Sequence, residues 1–405
     1  MINTTEGAHV EITNVLQRLR VLAVQSANDT NVAADRTHLQ AEASQLVAEL
    51  DRIATQTTWN GRAILDGSFT AKQLQIGGGV AETTSFSVDS ARTSAIGTFG
   101  LSSDPNAIAA NAISGSDLTV SGYLGSATIG VAANASVEDV AATVNANTGS
   151  TGVKAAAITK AKLRDLGAAE AISFTLTGDA AAAISATMTS VSDLGALRDA
   201  INDKAGVTGI TAVFGSGSSE LVLTHGTGKD IQMTGFDAAT AGNDIYLEAL
   251  DENGVVLATP DAIKLMDGGT TAADVIGHLV LTSIKSFTVS GDDTDADKRF
   301  FNTINGTAAG GTAALAHVGM VNISTLSGAA MALRVIDGAM SKINTARAEL
   351  GALSNRLDST ISNLTNVKTN SDISRSNIED ADFAAETANL ARQQILSRAA
   401  TSMLA

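Results

Sequence analysis

The chain has no cysteine among its 405 residues, only two prolines, one tryptophan and 3% aromatic residues. Without cysteine there are no disulfides, no thiol nucleophile and no thiolate metal site. The shortage of aromatics leaves any core to Ala, Val, Ile and Leu. Positive charge is also scarce: 26 Lys and Arg stand against 42 Asp and Glu, a net charge of -16. An acidic surface meets a phosphate backbone with like charge, which argues against nucleic acid as a partner. No run of about 18 apolar residues occurs, so no membrane insertion is predicted. The opening MINTTEGAHVEI lacks the basic, then apolar, then small-residue order of a cleavable secretion signal. What remains is a chain that is 44% hydrophobic and 17% charged, long enough for two or three domains with real cores.

Both ends carry a helical rhythm. Ile12, Val15, Leu16, Leu19, Leu22, Ala23 and Ser26 share one helical face, and Asn28-Asp29-Thr30-Asn31 ends the run. Leu39, Ala43, Leu46, Leu50 and Ile53 follow at alternating spacings of four and three, a seam meant for another long helix. Trp59-Asn60-Gly61 is a turn. Beyond it, Lys72 to Ile76 and Thr84 to Val88 alternate around Gly77-Gly78-Gly79 and predict a β-hairpin. Near the other end the apolar positions run Leu326, Ala329, Leu333, Ile336, Met340, Ile343, Leu350, Leu353, Leu357, Ile361 and Leu364. With no proline from Leu326 to Val367, one helix would reach roughly 60 Å and need partners along its length. Asn370-Ser371-Asp372 predicts a break. A last helix is expected from Ile378 to Leu404, with Glu379, Asp380 and Asp382 at its positive end. The two ends are therefore expected to zip into one rod inside the chain. Its core is predicted at Leu39, Leu46, Leu50, Ile53, Leu333, Ile336, Ile343, Leu350, Leu357 and Leu364.

The middle is written differently. Gly, Ser and Thr dominate, with short β-branched strands at Leu118–Val120, Ile172–Leu176, Glu220–Leu223 and Ser286–Val289. SVEDVAATVNANTGSTGVKAAA (Ser136–Ala157) resembles SVSDLGALRDAINDKAGVTGITAVF (Ser190–Phe214), with Asn145 and Gly152 matching Asn202 and Gly209. Each copy reads as a helix opened by Ser and acid, then a glycine turn, then a strand. The expected fold class is multidomain α and α+β. An elongated helical bundle rod plus a β-hairpin forms from both chain ends (1–104 and 313–405). An α+β outer region (105–312) is inserted, with an internal repeat at about 117–178 and 184–236.

LQRLRVLAVQSANDTN (Leu16–Asn31) and QAEASQLVAELDRIATQTTWNGRAILDGS (Gln40–Ser68) resemble the N-terminal half of bacterial flagellin, the flagellar filament subunit. LGALSNRLDSTISNL (Leu350–Leu364) and IEDADFAAETANLARQQILSRAATSMLA (Ile378–Ala405) resemble its C-terminal half. The resemblance implies an extracellular structural protein of swimming motility, exported unfolded by the flagellar type III apparatus. It would self-assemble into a hollow helical filament with the middle facing outward. Implied partners are other flagellin subunits, an export chaperone, cap and junction proteins, and a host Toll-like receptor. By position the receptor patch would map to Arg18, Leu22 and Glu42. Arg18, Arg20, Asn31, Asp35, Arg347 and Arg356, off the seam, are candidates for contacts with neighbouring subunits. Relative to the family, both extremities are absent, and on that ground the chain as it stands is expected to be a monomer that does not polymerise.

Catalysis is not expected, and neither is a cofactor or a metal. His9, His38, His225, His278 and His317 include no pair one helical turn apart with a Glu between them, as a metallopeptidase would need. Gly77-Gly78-Gly79 and Gly310-Gly311 lack the Lys-Ser/Thr of a phosphate loop and read as turns. Asp292 to Asp297 holds oxygen ligands suited to Ca²⁺ but lacks the Gly and distant Glu of an EF-hand, and reads as a solvated loop. The alternative is an extracellular adhesin or glycan-binding module. It would have to stack sugars on the few aromatics of the middle: Tyr123, Phe174, Phe214, Phe236, Tyr246 and Phe287.

Overall fold

The computed structural model describes residues 1–28, 30–77, 80–103, 106–108, 117–256, 262–291, 310–379 and 382–404. Pro105, Pro260, Gly78, Gly79, Asp380 and the Asp292–Asp297 cluster lie outside the described residues. The chain opens with α1 (Ile2–Ser26) and α2 (Ala33–Gln56). Two hairpins follow, β1 (Thr58–Trp59) with β2 (Arg62–Ala63), and β3 (Lys72–Gln75) with β4 (Thr83–Phe86). Asn60 and Gly61, both at positive φ (49° and 74°), make the tight turn that the Asn-Gly pair predicts. Strand β5 (Gly97–Ser102) leads into the middle of the chain.

The middle comprises β6 (Asn106–Ile108), β7 (Leu118–Ser121), β8 (Ser126–Ile129), α3 (Val137–Ala146), the single turn α4 (Thr148–Thr151) and β9 (Lys154–Arg164). It continues through β10 (Ala171–Thr177), β11 (Ala181–Thr187), α5 (Gly195–Asn202), the turn α6 (Ala205–Thr208), β12 (Ile210–Phe214) and β13 (Leu221–His225). Then come β14 (Ile231–Ala238), β15 (Asp244–Leu250), β16 (Ala262–Met266), β17 (Ala273–Ile276), β18 (His278–Ser283), β19 (Thr288–Ser290), β20 (Gly310–Thr312) and β21 (Ala314–His317). Two long helices close the chain, α7 (Leu326–Glu379) and α8 (Phe383–Leu404).

Three sheets carry the middle, in the orders β11-β10-β14-β17-β6, β12-β13-β9-β18-β5-β21 (with β15 joining β9 to β16) and β20-β19-β7-β8. Gly310 and Gly311, read from sequence as a turn, instead lie in β20 opposite Ser290 and Val289, because the ladder with β19 supplies backbone partners. The cores are nested. One gathers Leu101, Leu118, Val120, Val140, Leu279, Leu281 and Phe287; a second gathers Leu163, Phe174, Leu176, Leu221, Met233, Phe236 and Val275. The eleven-residue β9 crosses between them: Ala155 and Ala157 pack on the first core, Ala161 and Leu163 sit in the second. Strand β10, counted from sequence in the first unit (117–178), puts Ile172, Phe174 and Leu176 into the second core, since it pairs with β11 and β14.

The stretches around α3 and α5 share an unusual piece of chemistry. Asn145 Nδ2 donates to Ala155 O and its Oδ1 accepts from Ala155 N, both at 2.9 Å; Asn202 does the same to Ala212 at 2.8 Å. A side-chain amide thus takes the place of a neighbouring strand at a sheet edge. After each helix the chain turns through a left-handed glycine, Gly152 and Gly209, with φ of 73° and 70°. No side chain with a Cβ adopts that conformation without strain.

The rod has its own core of Ile12, Leu16, Leu19, Leu22, Leu50, Ile336, Ile343 and others. The burial rhythm on α1 runs Thr5, His9, Ile12, Leu16, Leu19, at spacings of four and three that face a straight partner. Asn370, Ser371 and Asp372 do not break the last helix as their turn preference predicted. They lie inside α7, where Lys368–Asp372 (3.1 Å) and Arg375–Glu379 (3.7 Å) pair across successive turns. Residues 380 and 381 are not described, and Asp382 Oδ1 accepts from the amides of Ala384 (3.1 Å) and Ala385 (3.0 Å) to cap α8.

Candidate assembly and recognition surfaces

Helix α1 lies against both α2 and α7, antiparallel to each. Arg18 meets Glu42 (2.6 Å), Arg20 meets Asp337 (2.8 Å) and Arg347 meets Glu6 (2.6 Å). The turn between α1 and α2 is tied to the entry of α7. Ser26 Oγ donates to Ile323 O (2.5 Å), and Gln40 Oε1 accepts from Ile323 N (2.6 Å). The β3–β4 hairpin leans on α7 through Arg356, whose Nη2 donates to Thr84 Oγ1 (2.6 Å).

These bonds account for all six residues proposed to serve neighbouring subunits. Besides the four arginines, Asn31 Nδ2 donates to Gln25 O (2.5 Å) and Asp35 Oδ2 accepts from Val32 N (3.2 Å), capping α2. Each therefore has a partner within the chain. Most of the ion pairs are solvated and contribute about 0.2–1 kcal/mol apiece. Their clearer effect is register, because an Arg at one height on α7 finds its acid at one height on α1.

The residues expected at a receptor patch divide. Arg18 and Glu42 are exposed and bonded to each other, whereas Leu22 is only 1% exposed and belongs to the rod core. The shared surface expected for Arg18 and Leu22 is thus not present. Leu22 falls on the buried rhythm of α1 while Arg18 falls off it.

Of the predicted rod core, Leu50, Ile336, Ile343 and Leu350 are buried, and Leu39, Leu46, Ile53, Leu333 and Leu357 are half-buried. Leu364 is exposed. The cause is length. With 25 residues α1 spans about 37 Å, whereas the 54 residues of α7 span about 80 Å. Beyond Leu357 no described element packs on α7. Ile361, Val367, Ile373 and Ile378 stand exposed there, followed on α8 by Phe383, Leu390, Ile395 and Leu396. No residue of α8 is buried. Solvated monomers rarely display so many exposed aliphatic side chains in succession.

Little else resembles a site for chemistry. The histidines sit on separate elements: His9 on α1, His38 on α2, His225 on β13, His278 on β18 and His317 on β21. Among the described residues no three His, Asp or Glu converge as metal ligands. Phe174, Phe236 and Phe287 are core residues. Phe214, Tyr246 and Tyr123 are each covered by a cation, from Arg198 (4.5 Å), Arg164 (5.2 Å) and Lys285 (5.6 Å). Among the described residues, then, the rings named as sugar platforms are either buried or already carry a cation over one face.

Comparison with known proteins fits this geometry. Residues 1–70 match the bacterial flagellin N-terminal helical region, and residues 333–405 match the bacterial flagellin C-terminal helical region. Residues 117–164 and 171–227 each match the flagellin hook IN motif. The B-type flagellin of Pseudomonas aeruginosa is 33% identical over 413 residues, covering 100% of this chain and 82% of that protein. The chain belongs to the bacterial flagellin family. A flagellin of Salmonella rubislaw is 31% identical over 438 residues, with 99% of this chain and 82% of that protein covered. Among solved structures, FliC from Burkholderia pseudomallei is similar over 88% of this chain and 98% of that chain, at 20% identity and a TM-score of 0.34. Like its relatives, this flagellin is a structural subunit of the extracellular flagellar filament. Its terminal helices and β-rich middle are those of the flagellin fold, and no described helix is long and apolar enough to cross a membrane. The adhesin alternative gains nothing from relatives that match along the whole chain as flagellins.

Proposed function

We propose that, against the monomer expected from the sequence, this flagellin polymerises through the exposed apolar side chains of distal α7 and α8, with further copies of the chain as their occupant. The observation that carries this is a succession of aliphatic side chains, Ile361 (61% exposed) to Ile378 (84%) and on into α8, that no described residue of the chain covers. Residues 1–104 and 313–405 act as the load-bearing rod. Residues 105–312 form the outer region, whose matching Asn145 and Asn202 brackets support a duplication, with β10 belonging to the second copy as in the matched stretches 117–164 and 171–227. The work is mechanical, without catalysis. Export unfolded by a type III route, helped by a chaperone that shields the apolar side chains of α8, suits a chain with no cysteine to cross-link in transit. Cap and junction proteins would meet the same side chains.

The absence of cysteine supplies the test. Ser219, exposed between β12 and β13, replaced by Cys, gives one reactive thiol on the outer region. In a flagellin-deficient strain expressing Ser219→Cys, a membrane-impermeant maleimide dye is expected to label filaments along their whole length on living cells. Filaments that form but stay dark would overturn the outward placement, and the absence of any filament would overturn the subunit role.

Receptor recognition would fall to Arg18 and Glu42, with Leu22 holding their helix in place from behind. Arg18→Ala is expected to lower signal in a Toll-like receptor reporter assay at least about tenfold, as for an Arg anchor worth about 1.4 kcal/mol or more. An unchanged dose response would remove the assignment.

A further inference from the structure

His9 is out of place in the rod. It sits on the buried face of α1, three residues before Ile12, fully covered, and neither Nδ1 nor Nε2 has a hydrogen-bond partner among the described residues. Beside it lies a cavity of about 140 Å³, closed by Phe86 and Val88 from the hairpin side and by Leu350 and Leu353 of α7. The charged groups facing it are Glu6 on its own helix, Arg347 and Glu349 on α7, and Asp89 beyond β4. Glu6 is already held by Arg347, at 2.6 and 2.8 Å. Neither Asp89 nor Glu349 bonds His9. A proton on this ring would therefore place a cation without a hydrogen-bond acceptor in the buried junction of α1, α7 and the hairpin.

We propose that His9 is an acid-sensitive weak point of the rod, whose protonation loosens the packing of α1 and the β3–β4 hairpin on α7. Burial first, and Arg347 after it, hold the imidazole below the usual histidine range, while Glu6 opposes them. The sign follows from linkage. The folded ring binds its proton less tightly than the unfolded one, so protons favour the unfolded chain as pH falls below about 6.5. Stability is complete above that pH and declines through the window between the unfolded and the folded pKa.

Thermal unfolding of the whole chain, followed by circular dichroism at 222 nm from pH 7.5 to 5.0, tests this. The rod midpoint of the parent is expected to fall at least about 2–4 °C more over that range than that of His9→Leu. His38→Leu, at an exposed position on α2, is expected to follow the parent. Equal losses in parent and His9→Leu would overturn the proposal. Should His9→Leu fail to fold, NMR of ring-labelled histidine in the parent still decides. A buried ring titrating at or above the pH of the exposed His38 would overturn it, and one that stays neutral to a lower pH would support it.

Discussion

Leu16→Asp is expected to unzip the rod while leaving the outer sheets folded. Leu16 is fully buried at the centre of α1, between α2 and α7. Truncating such a residue costs about 2–5 kcal/mol in general, and a buried carboxylate without a partner adds desolvation to that cost. The rod core shares no buried residue with the two cores of the middle, so the damage should stay local. Limited proteolysis is the direct measurement. The variant should be cut rapidly within α1, α2 and the first half of α7, while a resistant piece covering roughly β5 to β21 survives as it does in the parent. Leu16→Ala calibrates the series and should fall between the two. A variant whose rod resists protease like the parent's, or whose outer piece is lost together with the rod, would show that the cores are not organised as described.

The second large effect concerns the polymer. Leu390 and Ile395 are both exposed on α8, and each would recover about 1.5–3 kcal/mol if buried against a neighbouring subunit. Replacing both by Asp removes about 3–6 kcal/mol per interface, at least a hundredfold in association. Cells that depend on Leu390→Asp/Ile395→Asp flagellin are expected to carry no filaments by electron microscopy and to be non-motile in soft agar. The purified variant should melt at the temperature of the parent, because no described residue of its own chain buries them. Normal filaments from the double variant would exclude these side chains as an assembly surface. A lowered melting temperature would mean that α8 packs within the chain.

Much of this is legible in the amino-acid sequence, and the parts that are not have physical causes. The rod could be read because a four-three spacing of apolar residues leaves one face per helix, and only a long partner satisfies it. The same rhythm passes through Thr5 and His9, although neither residue is apolar enough to be counted; position was the available signal and chemistry hid it. Asn370 to Asp372 misled because each costs a helix interior at most about 0.7 kcal/mol, a weak preference that the Lys368–Asp372 and Arg375–Glu379 pairs partly offset within a long helix. Leu364 misled in the opposite direction. A seam on α7 says that a partner is wanted, and sequence does not say whether that partner belongs to the same chain. The partners of Arg20, Arg347 and Arg356 lie more than 250 positions away, at 317, 341 and 272 residues, beyond any local pattern.

The nesting has a consequence for how such molecules diversify. The whole middle leaves and re-enters through β5 and β21, where Gly97 stands opposite His317, and most of the second core is entered and left through β9 and β18, where Ile158 stands opposite His278, with β6 joining its sheet from outside that pair. Each graft point is thus a pair of adjacent antiparallel strands whose ends are a single ladder rung apart. A segment inserted at such a neck can be lengthened, shortened or exchanged without moving the two strand ends on which the rod closes.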